Sequence, residues 1–209
     1  MQPVAMQCRV ERPPAALLFD CIQNMGAQRS NPVLELLRDV PEFILGKKYP
    51  QPALAFGEDG WRTYYHSHSM AGADVSEHGH FHLFTRNEHG WAHLAALAMD
   101  LEGQPSRWIM TNRWVTGSDW SDRNSLLPAI NALIPSGEPD VLRQWLVSLL
   151  KLYQPELGDL LDARDARIAG LREGRSKDEV LDDRTLYELA CMPIDLTAKL
   201  TSRLTGENS

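Results

Sequence analysis

The sequence predicts an α+β fold, in which an antiparallel β-sheet meander over about residues 61–116 is flanked by N-terminal and C-terminal helices. Two observations support this class. Apolar residues recur at helical spacing before residue 45 and after residue 121, whereas the segment between them alternates apolar and polar residues and is rich in aromatics. Since 209 residues can form one hydrophobic core, we expect a single domain over 1–209, with a helical part at 13–45, the sheet at 61–116 and a helical part at 121–204.

Two helices are predicted in the N-terminal part. The first opens at Pro13 and carries apolar residues at helical spacing. The second has Asn31 as its N-cap and a proline in its first turn, and its spacing predicts that Leu34 and Leu37 face inward. Residues 47–60 contain two prolines and two glycines, which predicts a loop before the sheet.

The central part predicts four strands. Alternating and aromatic runs are separated by turn signals at 87–90 and 102–104. The predicted strands are 61–69, 78–86, 91–99 and 108–116. Because consecutive strands with short connections usually pair, an antiparallel meander is the expected arrangement.

The C-terminal part predicts helices to the end of the chain. A broad apolar stripe covers residues 141–153, Pro155 interrupts it, and a second stripe covers 157–171. This pattern predicts either two helices or one kinked helix. A charged stretch at 172–184 precedes a predicted short helix at 185–192.

Composition excludes several classes of function. The net charge is −7 and no cluster of lysines and arginines occurs, so a nucleic-acid partner is not expected. No run of about 18 apolar residues predicts a membrane span, and residues 1–12 lack the apolar segment of a secretory signal. Three cysteines without a paired spacing predict free thiols in a reducing compartment, which indicates a cytoplasmic location. The oligomeric state is left open.

All seven histidines lie between residues 66 and 93. Because side chains of a strand alternate between its two faces, His66 and His68 share one face of their strand, and His78, His80 and His82 share one face of theirs. An even register at the 87–90 turn would add His93 to the face of His82. The seven are His66, His68, His78, His80, His82, His89 and His93.

This spacing predicts a divalent-metal site, zinc or iron first, with nickel or copper as further possibilities. A metal-free catalytic site and a structural hydrogen-bonded cluster are the alternatives for these histidines. Residues i and i+4 of a strand lie ~13 Å apart, too far to share one ion. We therefore expect two of His78, His80 and His82 as ligands, together with one or both of His66 and His68. A bulge at the glycine between His78 and His80 would change this count.

Further residues are candidates for catalysis and substrate binding. His80 is the expected catalytic histidine, and the same bulge would return Glu77 to the site as its carboxylate. Tyr64 shares the parity of His66 and is the tyrosine expected near the ion. On the predicted strand 108–116, Asn112 and Trp114 occupy one face and Arg113 the other, so either face can supply substrate contacts. Trp114 fits equally well as a core residue.

Two resemblances follow from these motifs. The run HGHFHLFTR at 78–86 resembles the HxHxHxx signature of histidine-triad nucleotide hydrolases and transferases. This resemblance covers nine residues and implies that His80 attacks an α-phosphorus, with His78 and His82 in support. Three blocks, YYHSH at 64–68, EHGHFH at 77–82 and NRWVTG at 112–117, resemble an uncharacterised bacterial domain family that carries them in this order. That resemblance explains both histidine clusters and implies a shared fold and site without implying a reaction.

The leading hypothesis is a metalloenzyme that acts on a small molecule in an aromatic-lined pocket. One alternative is histidine-triad-type nucleotidyl transfer without a metal. The other is a non-catalytic metal-binding or metal-sensing module. An enzyme should leave one coordination position open to an external ligand, whereas a structural site should not.

Overall fold

The structure is a computed structural model that describes residues 12–67, 77–88, 90–135 and 137–206. Its strands are β1 (Tyr49–Phe56), β2 (Trp61–His66), β3 (Glu77–Arg86), β4 (Trp91–Asp100), β5 (Pro105–Thr111) and β6 (Glu188–Pro193). They form one antiparallel sheet in the order β1-β2-β3-β4-β5-β6, in which each strand pairs with its neighbours in sequence. The predicted meander is confirmed, and it is two strands wider than expected.

Helices precede, interrupt and follow this sheet. They are α1 (Pro14–Ala27), α2 (Pro32–Leu37), α3 (Arg113–Thr116), α4 (Arg123–Ala132), α5 (Val141–Leu152), α6 (Gln154–Gly170), α7 (Lys177–Leu181) and α8 (Leu196–Thr205). The α+β class with flanking helices is confirmed. Within the described residues, no helix combines the length and the apolar character needed to cross a membrane.

The main core lies between the sheet and the helices α1, α5 and α6. Phe81 of β3 packs against Trp145 of α5, with ring centroids 6.3 Å apart, and Trp108 of β5 packs against Tyr153, with ring centroids 6.1 Å apart. Because strand side chains alternate, the histidines that neighbour Phe81 in sequence lie on the opposite face of the sheet. The helices therefore cover one face of the sheet, and these histidines lie on the other face.

The cap of α2 forms as predicted, but its buried face differs. The Asn31 side chain accepts a hydrogen bond from the backbone N–H of Leu34 at 2.9 Å and donates to the carbonyl of Glu102 at 3.2 Å. This second bond ties the start of α2 to the turn after β4. The helix then buries Val33 and Leu36, and the inward position predicted for Leu34 is wrong because that side chain is exposed.

The loop predicted at 47–60 is wrong, since most of it is strand β1. Its pairing with β2 is interrupted between Tyr49 and Leu54, the stretch that contains Pro50 and Pro52. Proline cannot donate to a ladder, so it is tolerated in an edge strand that pairs on one side only. The prolines therefore interrupt the pairing locally while the strand continues to Phe56.

The strand predicted at 108–116 and the helix predicted at 185–192 both need correction. The strand ends at Thr111, where the Asn112 side chain accepts a hydrogen bond from the N–H of Arg113 at 2.8 Å and starts the short helix α3. The free edge of β5 is filled by β6, so residues predicted as a helix form a strand instead. An unpaired edge favours such pairing, which depends on residues distant in sequence.

The break between the long C-terminal helices is confirmed. Pro155 lies in the first turn of α6, where its missing N–H removes no helical hydrogen bond, and Tyr153 joins the helix to α5. Two free thiols are present in the described residues, Cys21 and Cys191, the first buried and the second exposed.

Candidate metal centre

Strand register brings three histidines of β2 and β3 together. His66 lies directly across from His80, and Tyr64 lies directly across from His82. The Nε2 atom of His66 is 2.9 Å from the Nε2 of His80 and 3.1 Å from the Nε2 of His82. One nitrogen from each of the three rings lies within 4.8 Å of the others. The three side chains are thus close enough to hold one metal ion.

The spacing of these nitrogens fits a shared ion. Two imidazole nitrogens bound at ~2.1 Å, and separated by ~90–110° at the ion, lie ~3.0–3.4 Å apart. The separation of 3.1 Å falls within this range, and that of 2.9 Å lies just below it. Neutral imidazole nitrogens are common ligands of zinc, iron, copper and nickel.

The far side of His80 is fixed by a carboxylate. Oε1 of Glu77 lies 2.8 Å from Nδ1 of His80, and its Oε2 accepts a hydrogen bond from Arg107 at 3.1 Å. Arg107 also donates to Glu188 at 2.9 Å. Burial alone would raise the pKa of Glu77, but the hydrogen bonds from His80 and Arg107 outweigh it and hold the pKa below its usual range. An ionised carboxylate only accepts, so a neutral His80 carries its hydrogen on Nδ1 and directs the lone pair of Nε2 toward the other histidines.

The far side of His82 is fixed by a fourth histidine. Nδ1 of His82 lies 2.9 Å from Nε2 of His93, whose Nδ1 lies 3.3 Å from the hydroxyl of Thr111. When His93 donates to Thr111 and accepts from His82, Nε2 of His82 also presents a lone pair. The even register that would bring His93 to the face of His82 is present at the 87–90 turn, since Arg86 lies across from Trp91 and Phe84 lies across from His93.

Burial keeps this pair of histidines neutral. It lowers the pKa of His82 well below its usual range, and the nearby imidazoles and the charge of Lys48 lower it further. Burial also lowers the pKa of His93 to about 3, with a further contribution from the positive charge of Arg164. Neutral imidazole is the form that binds metal, so these surroundings favour binding at neutral pH.

A bulge at the start of β3 decides which residues of the HxHxH motif face this centre. Glu77 pairs with Asp100 and Gly79 with Met99, so one extra residue lies between them on β3. The bulge returns Glu77 to the face of His80, as the glycine suggested. It also turns His78 away from the centre.

Two histidines of the motif and one of the upstream pair meet, in agreement with the combination expected from strand spacing. They are His66, His80 and His82, and the structure does not bring His78 to them. Nδ1 of His78 lies 2.6 Å from the hydroxyl of Tyr65, and its ring stacks on Phe43 with centroids 5.9 Å apart. His68 and His89 lie outside the described residues.

Gly79 permits the close approach of β2 to β3 at this point. A Cβ atom added there would lie 2.5 Å from the carbonyl oxygen of His66 and 2.6 Å from the hydroxyl of Tyr65. Replacing Gly79 with alanine should therefore push the strands apart, destabilise the protein by ~1–3 kcal/mol and weaken metal binding. Urea unfolding monitored by circular dichroism, and metal titration of the same variant, test this.

Gly26 in the last turn of α1 provides the matched control, because a Cβ added there meets nothing within 4 Å. Gly26→Ala should leave stability unchanged or raise it slightly. Equal behaviour of the two variants would contradict the close-approach explanation.

Of the four residues predicted to bind substrate, the structure brings Tyr64 to the histidines. Its ring centroid lies 5.0 Å from that of His82. Burial raises the pKa of Tyr64 to about 12, helped by the proximity of Tyr187 and opposed by Arg62. Its hydroxyl therefore stays protonated at neutral pH and can donate a hydrogen bond.

The other three predicted residues make structural contacts beyond the end of β5. The Asn112 side chain caps α3 and donates to the carbonyl of Val180 at 2.9 Å. Arg113 forms ion pairs with Asp178 and Asp182. The indole N–H of Trp114 donates to the carbonyl of Leu186 at 2.9 Å. These contacts result from the replacement of the predicted strand end by α3.

Sequence reasoning did not assign roles to Arg107 or Thr111, and it predicts only a surface ion pair with Asp165 for Arg164. That pair is present, but its arginine is not on the surface. Arg164 is buried, donates to the carbonyl of Ser121 and lies 4.1 Å from the ring centroid of Trp120. Its cation lies behind His93, which it helps to keep neutral. No local pattern indicates the contacts of these residues, because they join elements distant in sequence.

A known protein family matches most of this chain. Residues 13–194 match a family described as a domain of unknown function (DUF6969). The chain belongs to this family. The match confirms the predicted membership of an uncharacterised family and contains all three sequence blocks that suggested it. As a DUF6969 member, the chain has α1 to β6 inside the family segment and α8 beyond it. No curated protein and no solved structure matches the chain.

Proposed function

We propose that this DUF6969 protein is a metalloenzyme that holds a zinc or iron ion through His66, His80 and His82 and acts on a small molecule. The convergence of three Nε2 atoms supports the proposal most strongly. The contacts of Glu77 and His93 add to it, because ring nitrogens opposite a metal usually bond to such partners. A net charge of −7 and free thiols favour a cytoplasmic protein without a nucleic-acid partner.

Three protein ligands favour catalysis over a purely structural role. Structural zinc is almost always held by four protein ligands, whereas catalytic zinc keeps one position for water or substrate. When bound, the ion would supply Lewis acidity toward water or substrate, or a position for oxygen if it is iron. Nickel and copper suit the same donors and are outcomes of the test.

The protein's own residues would orient the ligands and enclose the substrate. Glu77 would hold the proton on Nδ1 of His80, and Arg107 would hold Glu77 in place. In this proposal Glu77 is a positioning residue and not an acid or base, because both its oxygens already have partners. Tyr64 would form the aromatic wall beside His82 and offer its hydroxyl as a donor.

The test is elemental analysis of the protein purified without a histidine tag. We expect near-stoichiometric zinc or iron, removal of any activity by a strong chelator, and, in the protein reconstituted with Co²⁺, spectral changes on addition of azide that report an open coordination position. A metal-free folded protein that refuses metal on reconstitution would contradict the proposal. A chelator-insensitive nucleotidyl adduct at His80, formed from a nucleoside phosphoramidate, would support the histidine-triad alternative instead. Stoichiometric metal with no response to azide would indicate the non-catalytic module.

A further inference from the structure

We infer that this centre takes a small carboxylate as its substrate or ligand, and that Lys48 is the cation that anchors it. The inference rests on the proposed metal site and names the chemical class that the site would select. Three features support it: the position of Lys48, the positive charge of Lys48 and the ion, and the hydrogen-bond donors of Lys48 and Tyr64.

Lys48 directly precedes β1 and lies beside the histidine face of the sheet. Its Nζ atom is 4.6 Å from the ring centroid of Tyr64. The Tyr64 ring in turn lies 5.0 Å from the ring of His82 and 5.9 Å from the ring of His66. The ammonium group therefore contacts the same aromatic ring as two of the three proposed ligands.

The charge of Lys48 is not compensated by the described part of the chain. The guanidinium of Arg107 pairs with Glu77 and Glu188, but no carboxylate of the described residues forms an ion pair with Lys48. A divalent ion held by three neutral imidazoles keeps both its positive charges. The negative charge of Glu77 is shared with Arg107 behind His80. Lys48 and the ion would thus present positive charge to an incoming ligand, which favours an anion.

A carboxylate matches the number and kind of donors at this position. In this proposal one oxygen would bind at the open coordination position of the ion, and the other would accept from the Lys48 ammonium or the Tyr64 hydroxyl. No hydrogen bond within the described residues engages that hydroxyl. A phosphate dianion needs more donors than one ammonium and one phenol. Two further arginines on this side lie over aromatic rings, Arg62 over Phe84 and Trp91 and Arg86 over Trp91.

The experiment uses the full chain loaded with Co²⁺, whose visible absorption bands report its coordination. Acetate should change these bands with a measurable Kd, whereas acetamide, which has the same shape without the charge, should not. Lys48→Met should weaken acetate binding about fivefold, which corresponds to ~1 kcal/mol. The affinity for Co²⁺ should stay close to that of the parent.

Lys47→Met is the matched control. Lys47 makes the same kind of contact with a different ring, 5.5 Å from the centroid of Tyr49, so its replacement should leave acetate binding unchanged. Equal acetate affinity in the parent and in Lys48→Met, or tighter binding of phosphate than of acetate, would overturn the carboxylate assignment and leave the metal site intact. Absence of cobalt bands in the parent would overturn the metal site and the carboxylate inference with it.

Discussion

Replacing any one of His66, His80 and His82 with alanine should abolish stoichiometric metal binding. Each substitution removes one of three converging nitrogens. Loss of a residue that only orients a ligand costs 10- to 100-fold in metal affinity, so the loss of a ligand itself should cost more than ~100-fold. Metal content after dialysis and calorimetric titration of the metal-free proteins measure the effect.

His78→Ala is the control within the same motif. Its ring lies on the opposite face of the sheet with Tyr65 and Phe43, so this variant should keep its metal with an affinity within a few-fold of the parent. Far-UV circular dichroism checks that every variant is folded. Loss of metal in His78→Ala, with retention in His80→Ala, would contradict the site as described. It would indicate instead that β3 has no bulge and that His78 faces the metal, as alternation along a regular strand predicts.

The sequence predicts the positions of His80 and His82 better than that of His78, and strand geometry explains the difference. Alternation along β3 predicts that His80 and His82 share one face, and this depends only on strand geometry. Their meeting with His66 depends in addition on the register of β2 against β3, in which His66 lies across from His80. The position of His78 depends on one extra residue in β3, opposite the pair Asp100 and Met99 of β4. Gly79 indicated that a bulge was possible, but its effect on the side chains is set by a partner strand about twenty residues away.

Two alanines of β4 illustrate the same limit. Alanine has low strand propensity, so Ala96 and Ala98 weaken the prediction of a strand. In the sheet they lie directly across from His82 and His80. Their small side chains leave room for the two imidazoles. Alanine is therefore unfavourable for a strand by its own propensity but suits β4, because β4 pairs with the histidines of β3.

The edges of the fold were the least predictable part. β1 contains Pro50 and Pro52 and forms an edge strand, and β6 joins the sheet after an intervening helical segment. Both strands are stabilised by pairing with a neighbour more than by their own residue pattern. The helices α5 and α6 were predictable because an apolar stripe and Pro155 are local signals.

The stability of the metal-free protein should fall steeply as the pH drops below about 6.5. An unfolded histidine binds a proton with a pKa of ~6.5, whereas burial lowers the pKa of His93 to about 3 and that of His82 well below its usual range in the folded protein. Below pH ~6.5 the unfolded chain therefore binds protons that the folded chain does not. Stability is complete above the unfolded pKa and is lost as the pH falls toward the folded pKa, by up to ~1.4 kcal/mol per pH unit for each such histidine.

Urea unfolding in EDTA at several pH values between 5 and 6.5 measures this slope, in a window where most carboxylates remain ionised. His93→Gln removes one of the two histidines, while its amide oxygen can still accept from His82. The pH dependence of its unfolding free energy should therefore be smaller by up to ~1.4 kcal/mol per pH unit. Equal slopes in the parent and His93→Gln would show that the pKa of His93 is the same in the folded and the unfolded protein.

Adding metal should stabilise the parent by ~4 kcal/mol at a thousandfold excess over Kd near neutral pH. This gain should also decline with falling pH, because protons compete with the ion for the same imidazole nitrogens.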